Sequence, residues 1–107
     1  ARALAQGLGL GQDQFEVVFQ SRLTKVPWLK PFTDVRIEEL AKAGAKSLLV
    51  TCPSFVADCL ETLEEIAMRA EEDFVAAGGT HLRLIPCLND AESWVAGLAK
   101  LIEARLS

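Results

Sequence analysis

A chain of 107 residues, half of them apolar, holds enough material for one modest core, so a single domain over residues 1–107 is expected. Its net charge of -4 and pI near 4.9, with eleven scattered Lys and Arg, argue against nucleic acid as a partner, because phosphate binding draws on clustered bases. The longest apolar runs, residues 47–52 and 82–88, fall far short of the about twenty residues that span a bilayer, and no secretory signal opens the chain.

Residues 1–10, ARALAQGLGL, carry Ala and Leu at helical spacing without a Met or a capping residue, and read as a piece of something longer. Gly9 and Gly11 supply a stop, and Phe15 to Phe19 form a short β-branched and aromatic run suited to a strand. In residues 20–33, QSRLTKVPWLKPFT, Pro27 and Pro31 flank Trp28 and block regular structure, which predicts a long ordered loop. Thr33 or Asp34 can cap the next helix, in which Ile37, Leu40 and Ala41 recur at three and four residues before Gly44 ends it.

Ser47 to Cys52 reads as a second, buried strand. After Pro53 and Ser54 comes an acid-rich helix, starting near Ala57 or Asp58 and running to Ala77, where Gly78 and Gly79 stop it. At roughly 100° per residue, Asp58, Glu61 and Glu65 fall on one side of this helix, with Leu60, Leu63, Ala67, Ala70 and Phe74 on the packing side. Leu82 to Pro86 makes a third strand, and Asn89 or Asp90 caps a last helix with an apolar stripe of Val95, Leu98, Ala99, Ile102 and Leu106.

Connections of this length suit parallel crossovers and not hairpins, so the expected fold is α/β: a three-layer sandwich with a parallel sheet flanked by helices. Ligands of such sheets bind at the carboxyl edge of the strands, where Asp58 and Glu61 would lie. Two carboxylates within a turn can bind a divalent cation or relay protons, yet the same acids also favour a helix amino terminus through capping and the dipole. Spacing alone leaves both open. Trp28 offers either a cover for the sheet edge or a rigid wall for a flat ligand, and Gln20 and Ser21, directly after a strand, either point to that edge or simply end the strand. His81 and Trp94 read as a surface residue and a packing residue. Cys52, Cys59 and Cys87 form no Cys-x-x-Cys pair, which fits free thiols in a reducing compartment more than metal ligation.

Three stretches, FQSRLTKVPWLKPFTD, LLVTCPSFVADCLETLEEI and IPCLND, at this order and spacing resemble the carboxyl-terminal half of ferrochelatases, nearest the bacterial branch. The resemblance implies a type II chelatase of two Rossmann-like halves with a porphyrin in the cleft between them. It implies that the intact protein is a lyase that inserts ferrous iron into protoporphyrin IX or a related porphyrin in haem biosynthesis, in the cytoplasm. By the same resemblance Glu61 matches the catalytic glutamate and the residue that meets the metal, Asp58 the acid one turn earlier, and Trp28 the tryptophan of the porphyrin pocket.

Cys59 stands where other branches carry His, and Thr24 where the family usually has Gly. The family's catalytic histidine belongs to an upstream half, and His81 does not match it by context. The resemblance therefore implies an isolated chain that is inactive, with the amino-terminal half as its missing partner and exposed apolar surface through which it can self-associate. No cofactor is expected: iron is a substrate, and no iron–sulfur cluster is expected in this chain. The alternatives are a chelatase for cobalt or another metal with another tetrapyrrole, and a non-catalytic porphyrin-binding or assembly domain.

Overall fold

The structure is a computed structural model that describes residues 1–20 and 26–107. Ser21 and Thr24 lie outside the described residues. Helix α1, Arg2–Gly7, is followed in the element order by α2, Thr33–Lys42, and strand β1, Ser47–Val50. A helical rod then comprises α3 (Leu60–Leu63), a π-helical segment (Glu65–Ala70) and α4 (Glu71–Ala76). Strand β2, His81–Leu84, and α5, Glu92–Leu106, complete the order.

The two strands pair in parallel, Ser47 opposite His81 through Val50 opposite Leu84, so the chain is α/β with the helical rod as the crossover between neighbouring strands. Leu48, Val50, Leu82 and Leu84 turn toward a core of Ile37, Ala41, Ile66, Ala70 and Phe74, which joins α2, the rod and the sheet. Leu49, on the other face of the sheet, is exposed.

Three helices end the same way. Gly9, Gly44 and Gly78 take positive φ just past the ends of α1, α2 and α4, and each closes a pair of reverse hydrogen bonds, such as Gly44 N–H to Ala41 O and Ala45 N–H to Leu40 O. This is the Schellman arrangement that a residue without Cβ accepts at little cost. Of the glycine stops read from the sequence, Gly9, Gly44 and Gly78 are these caps, while Gly11 and Gly79 do not take positive φ.

Several expected features differ. The strand over Phe15 to Phe19 reduces to one parallel bridge between Phe19 and Phe32, because Phe19 exchanges its bonds with Pro31 and Thr33 and the residues before it find no ladder. The neighbouring stretch is fastened to α2 instead by a two-pronged ion pair, Arg36 Nε and Nη2 each 2.7 Å from a Glu16 carboxylate oxygen. Neither Thr33 nor Asp34 caps α2, whose N-cap is Phe32, and neither Asn89 nor Asp90 caps α5, whose N-cap is Ala91.

The acidic helix begins at Leu60, not at Ala57 or Asp58, and its packing side is also shifted. Leu60 and Leu63 are 71% and 52% exposed, while Thr62, Ile66, Ala70 and Phe74 are buried. The cause is the π segment, where Arg69 N–H bonds to the Glu64 carbonyl five residues back. Each π turn takes in an extra residue, so side chains four apart stay nearly in line where an α-helix would let them drift.

Candidate functional site

The chain turns out of β1 through Thr51, Cys52, Pro53 and Ser54, and these residues floor a cleft of about 380 Å³ at the carboxyl edge of the sheet. Val18, Phe19, Gln20, Trp28, Phe55 and Glu61 line it as well. Three residues singled out in the sequence, Gln20, Trp28 and Glu61, thus meet in one place although 41 positions separate the first from the last. Apolar faces dominate the lining and one carboxylate stands among them.

Gln20 organises the cleft. Its backbone carbonyl accepts the Trp28 indole N–H at 3.1 Å, and its side-chain Nε2 donates to the Glu61 carbonyl at 2.8 Å. The Cys52 thiol lies 3.9 Å from its Oε1. The indole ring is held at its polar edge, and the residue is 47% exposed.

Glu61 occupies the second position of α3, where free backbone N–H groups and the dipole favour an anion. The Cys59 thiol, and then the residue's own backbone N–H, hold its carboxyl below the usual carboxylate range against the opposing effect of burial. It is therefore ionised at neutral pH and able to accept a proton. Burial raises the Cys52 thiol, and it pushes Cys87 up to about 11, with Asp58 adding to the latter, so both stay protonated.

Asp58 does not line the cleft and does not belong to the helix. It precedes the N-cap Cys59, and its carboxylate faces inward to the protein's own donors. The Thr62 hydroxyl donates to Oδ1 at 2.9 Å, Asn89 Nδ2 donates to Oδ2 at 2.9 Å, and the Cys87 N–H lies 3.3 Å from both oxygens. Asn89, then Thr62 and Cys87, draw the Asp58 carboxyl below its usual range. The expected pair of acids on one face of one helix is thus divided into an anion at the cleft and an anion held by Thr62, Cys87 and Asn89.

Thr62 carried no expectation from the sequence, and Asn89 was expected only as a cap of the last helix and not as a partner of Asp58. Thr62 is fully buried, and its Oγ1 accepts the Cys59 N–H at 3.0 Å, as the third residue of a capping box does. The spacing Cys-x-x-Thr is no ordinary capping signature, which is why it carried no signal. His81 is exposed at the start of β2, the opposite edge from Glu61, and Trp94 is half-buried. Among the described residues no group of three or more His, Cys, Asp or Glu side chains is gathered to hold an ion, and no helix is long and apolar enough to cross a membrane.

The family model described as Ferrochelatase matches residues 1–106. A curated ferrochelatase of Pseudomonas putida is 56% identical over 103 residues, covering 96% of this chain and 30% of the relative. The ferrochelatase of Pseudomonas aeruginosa is 54% identical over 101 residues, covering 94% and 30%, and that of Ectopseudomonas mendocina 54% over 103, covering 96% and 30%. The chain thus spans about 30% of the length of these curated relatives. No solved structure matches it.

Proposed function

The chain belongs to the ferrochelatase family, and on that premise we propose that the full-length protein inserts ferrous iron into protoporphyrin IX or a related porphyrin, as a lyase of haem biosynthesis. The observation that carries this reading is the meeting of Trp28, Gln20 and Glu61 in one cleft at the carboxyl edge of the parallel sheet. Trp28, Phe19 and Phe55 offer apolar faces to a flat macrocycle, and Glu61 places one ionised carboxylate at its border.

Metallation exchanges one Fe²⁺ for two pyrrole protons, so the site must accept two protons for each ion delivered. Glu61, a hard oxygen donor and a base, suits either proton acceptance or guidance of the incoming ion. Its lowered affinity for protons favours passing each one onward to solvent. Trp28 and Gln20 bind the ring, and Ser21 is proposed as a further contact. Iron enters as substrate, and the chain requires neither a resident cofactor nor an iron–sulfur cluster.

The amino-terminal half supplies the other wall and the family's histidine. Together the halves form two Rossmann-like, three-layer units, in which Leu49 and its face of the sheet become covered. The enzyme works in the cytoplasm. In the full-length protein, Glu61→Gln is expected to lower the rate of iron insertion by about 10²- to 10⁴-fold while porphyrin affinity, followed by quenching of tryptophan fluorescence, stays nearly unchanged. Equal loss of both, or of neither, counts against the assignment. The isolated 107-residue chain is expected to show no turnover in the same assay, and a rate near that of the intact enzyme would refute the division of the site between two halves.

A further inference from the structure

The geometry points to Asn89 as a positioning residue that fixes Asp58, and through it the first turn of α3, so that Glu61 faces the cleft. This rests on the reading of Glu61 given above. Asn89 is the one non-glycine among the described residues with positive φ, at 49°. That backbone conformation is costly for most L-residues, and Asn is among the few that adopt it readily. The turn sends the side chain back across the molecule to Asp58, thirty-one positions earlier, and both its polar ends are used there. Oδ1 accepts the Asp58 N–H at 2.8 Å, and Nδ2 donates to Asp58 Oδ2 at 2.9 Å. The Asn89 N–H donates to the Val56 carbonyl at 2.8 Å, so one residue after β2 makes three bonds to the segment that enters α3.

The bonds continue inward. Asp58 Oδ1 takes the Thr62 hydroxyl, and Thr62 Oγ1 takes the Cys59 N–H at the N-cap. From the opposite side, Gln20 Nε2 holds the Glu61 carbonyl. The first turn of α3 is thus gripped between the loop after β2 and the wall of the cleft, with Glu61 inside the grip. An ionised Asp58 accepts every one of these donors at once, whereas a protonated one would set an O–H against Thr62, Asn89 or the Cys87 amide. Asp58 therefore acts as a fixed anion and not as a carrier of protons.

An exchange of residues separates the two roles. In the full-length protein, Asn89→Asp keeps size and tolerance of the left-handed backbone but sets two carboxylates against each other. It is expected to lower kcat about ten- to a hundredfold, as small displacements of a reacting group do, with porphyrin KM changed less than about twofold. The amides of Thr62 and Leu63, which bond to Cys59 O in the first turn, should exchange hydrogen faster. Asp58→Asn should act in the same direction. Combining Asp58→Asn with Asn89→Asp reverses donor and acceptor between the two side chains, leaves the oxygen at position 58 to accept from Thr62 and the Cys87 N–H, and should restore most of kcat and slow exchange.

If Asp58 itself carries protons, the double variant stays as slow as Asp58→Asn although its exchange is restored, and the inference fails. It fails also if Asn89→Asp leaves exchange and kcat untouched. Glu61→Gln, measured alongside, isolates the underlying reading. Should that variant keep full activity, the catalytic assignment of Glu61 falls, and hydrogen exchange alone then supports or overturns Asn89 as the residue that orders the turn.

Discussion

Gly79 leaves no room for even one methyl group. A Cβ built on it would enter the ring of Phe74, which is fully buried at the centre of the core, and the ring has no free side to which it can withdraw. Gly79→Ala should therefore cost about 1–3 kcal/mol by overpacking, read as a lower urea midpoint with an unchanged slope. A second residue-scale effect is electrostatic. Because its donors lower the Asp58 carboxyl in the fold, the native state gives up that proton more readily than the unfolded chain does. The stability it adds is present above the unfolded value of about 3.9 and is lost as pH falls through the lower folded one. Asp58→Asn should thus lie below the parent in stability at pH 7, and the two curves should converge in acid, as thermal melts between pH 7 and pH 2 would record. The residue type was visible in the sequence and its partner was not, because nothing in a sequence of 107 letters joins position 58 to position 89 before a parallel sheet brings the ends of β1 and β2 side by side.

At the scale of elements, the sequence marked where helices stop better than how they face. Gly9, Gly44 and Gly78 were legible because a positive φ after a helix selects glycine locally. The facing of the rod was legible only in its second half, where Ala70 and Phe74 are buried as expected, since a constant α-helical angle does not hold across a π segment that no composition rule announces. The same kind of long-range choice defeated the strand over Phe15 to Phe19: its β-forming residues are real, but a strand exists only where a partner accepts its ladder. The corrected facing can be measured. Ile66→Ala, which empties part of the core, should destabilise this chain by about 2–5 kcal/mol, whereas Leu63→Ala, at a half-exposed position, should cost less than about 1 kcal/mol. An uninterrupted α-helix from Asp58 would bury Leu60 and Leu63 and reverse that order.

On the scale of the whole molecule, the carboxyl edge of the sheet is organised and the outer surfaces are not. The cleft is fastened by bonds from Gln20, Trp28 and Glu61, while α5 buries none of its residues. Its stripe was read correctly as helical from the spacing of Val95, Leu98, Ile102 and Leu106, but spacing states only that a face is apolar and not what covers it. On the far face of the sheet Leu49 is the one large apolar side chain exposed, beside Ser47, His81 and Arg83. A monomer seldom leaves a helix's apolar stripe such as Val95, Leu98, Ile102 and Leu106 exposed to water, and the net charge of -4 is too small to oppose association strongly. The isolated chain should therefore self-associate, with a sedimentation coefficient that rises with concentration. Leu98→Lys together with Ile102→Lys should return it to a monomer without lowering its urea midpoint, because neither side chain is buried in the folded chain. Loss of folding in that double variant would mean instead that α5 packs onto the core, and unchanged association would move the contact to the face of the sheet that carries Leu49.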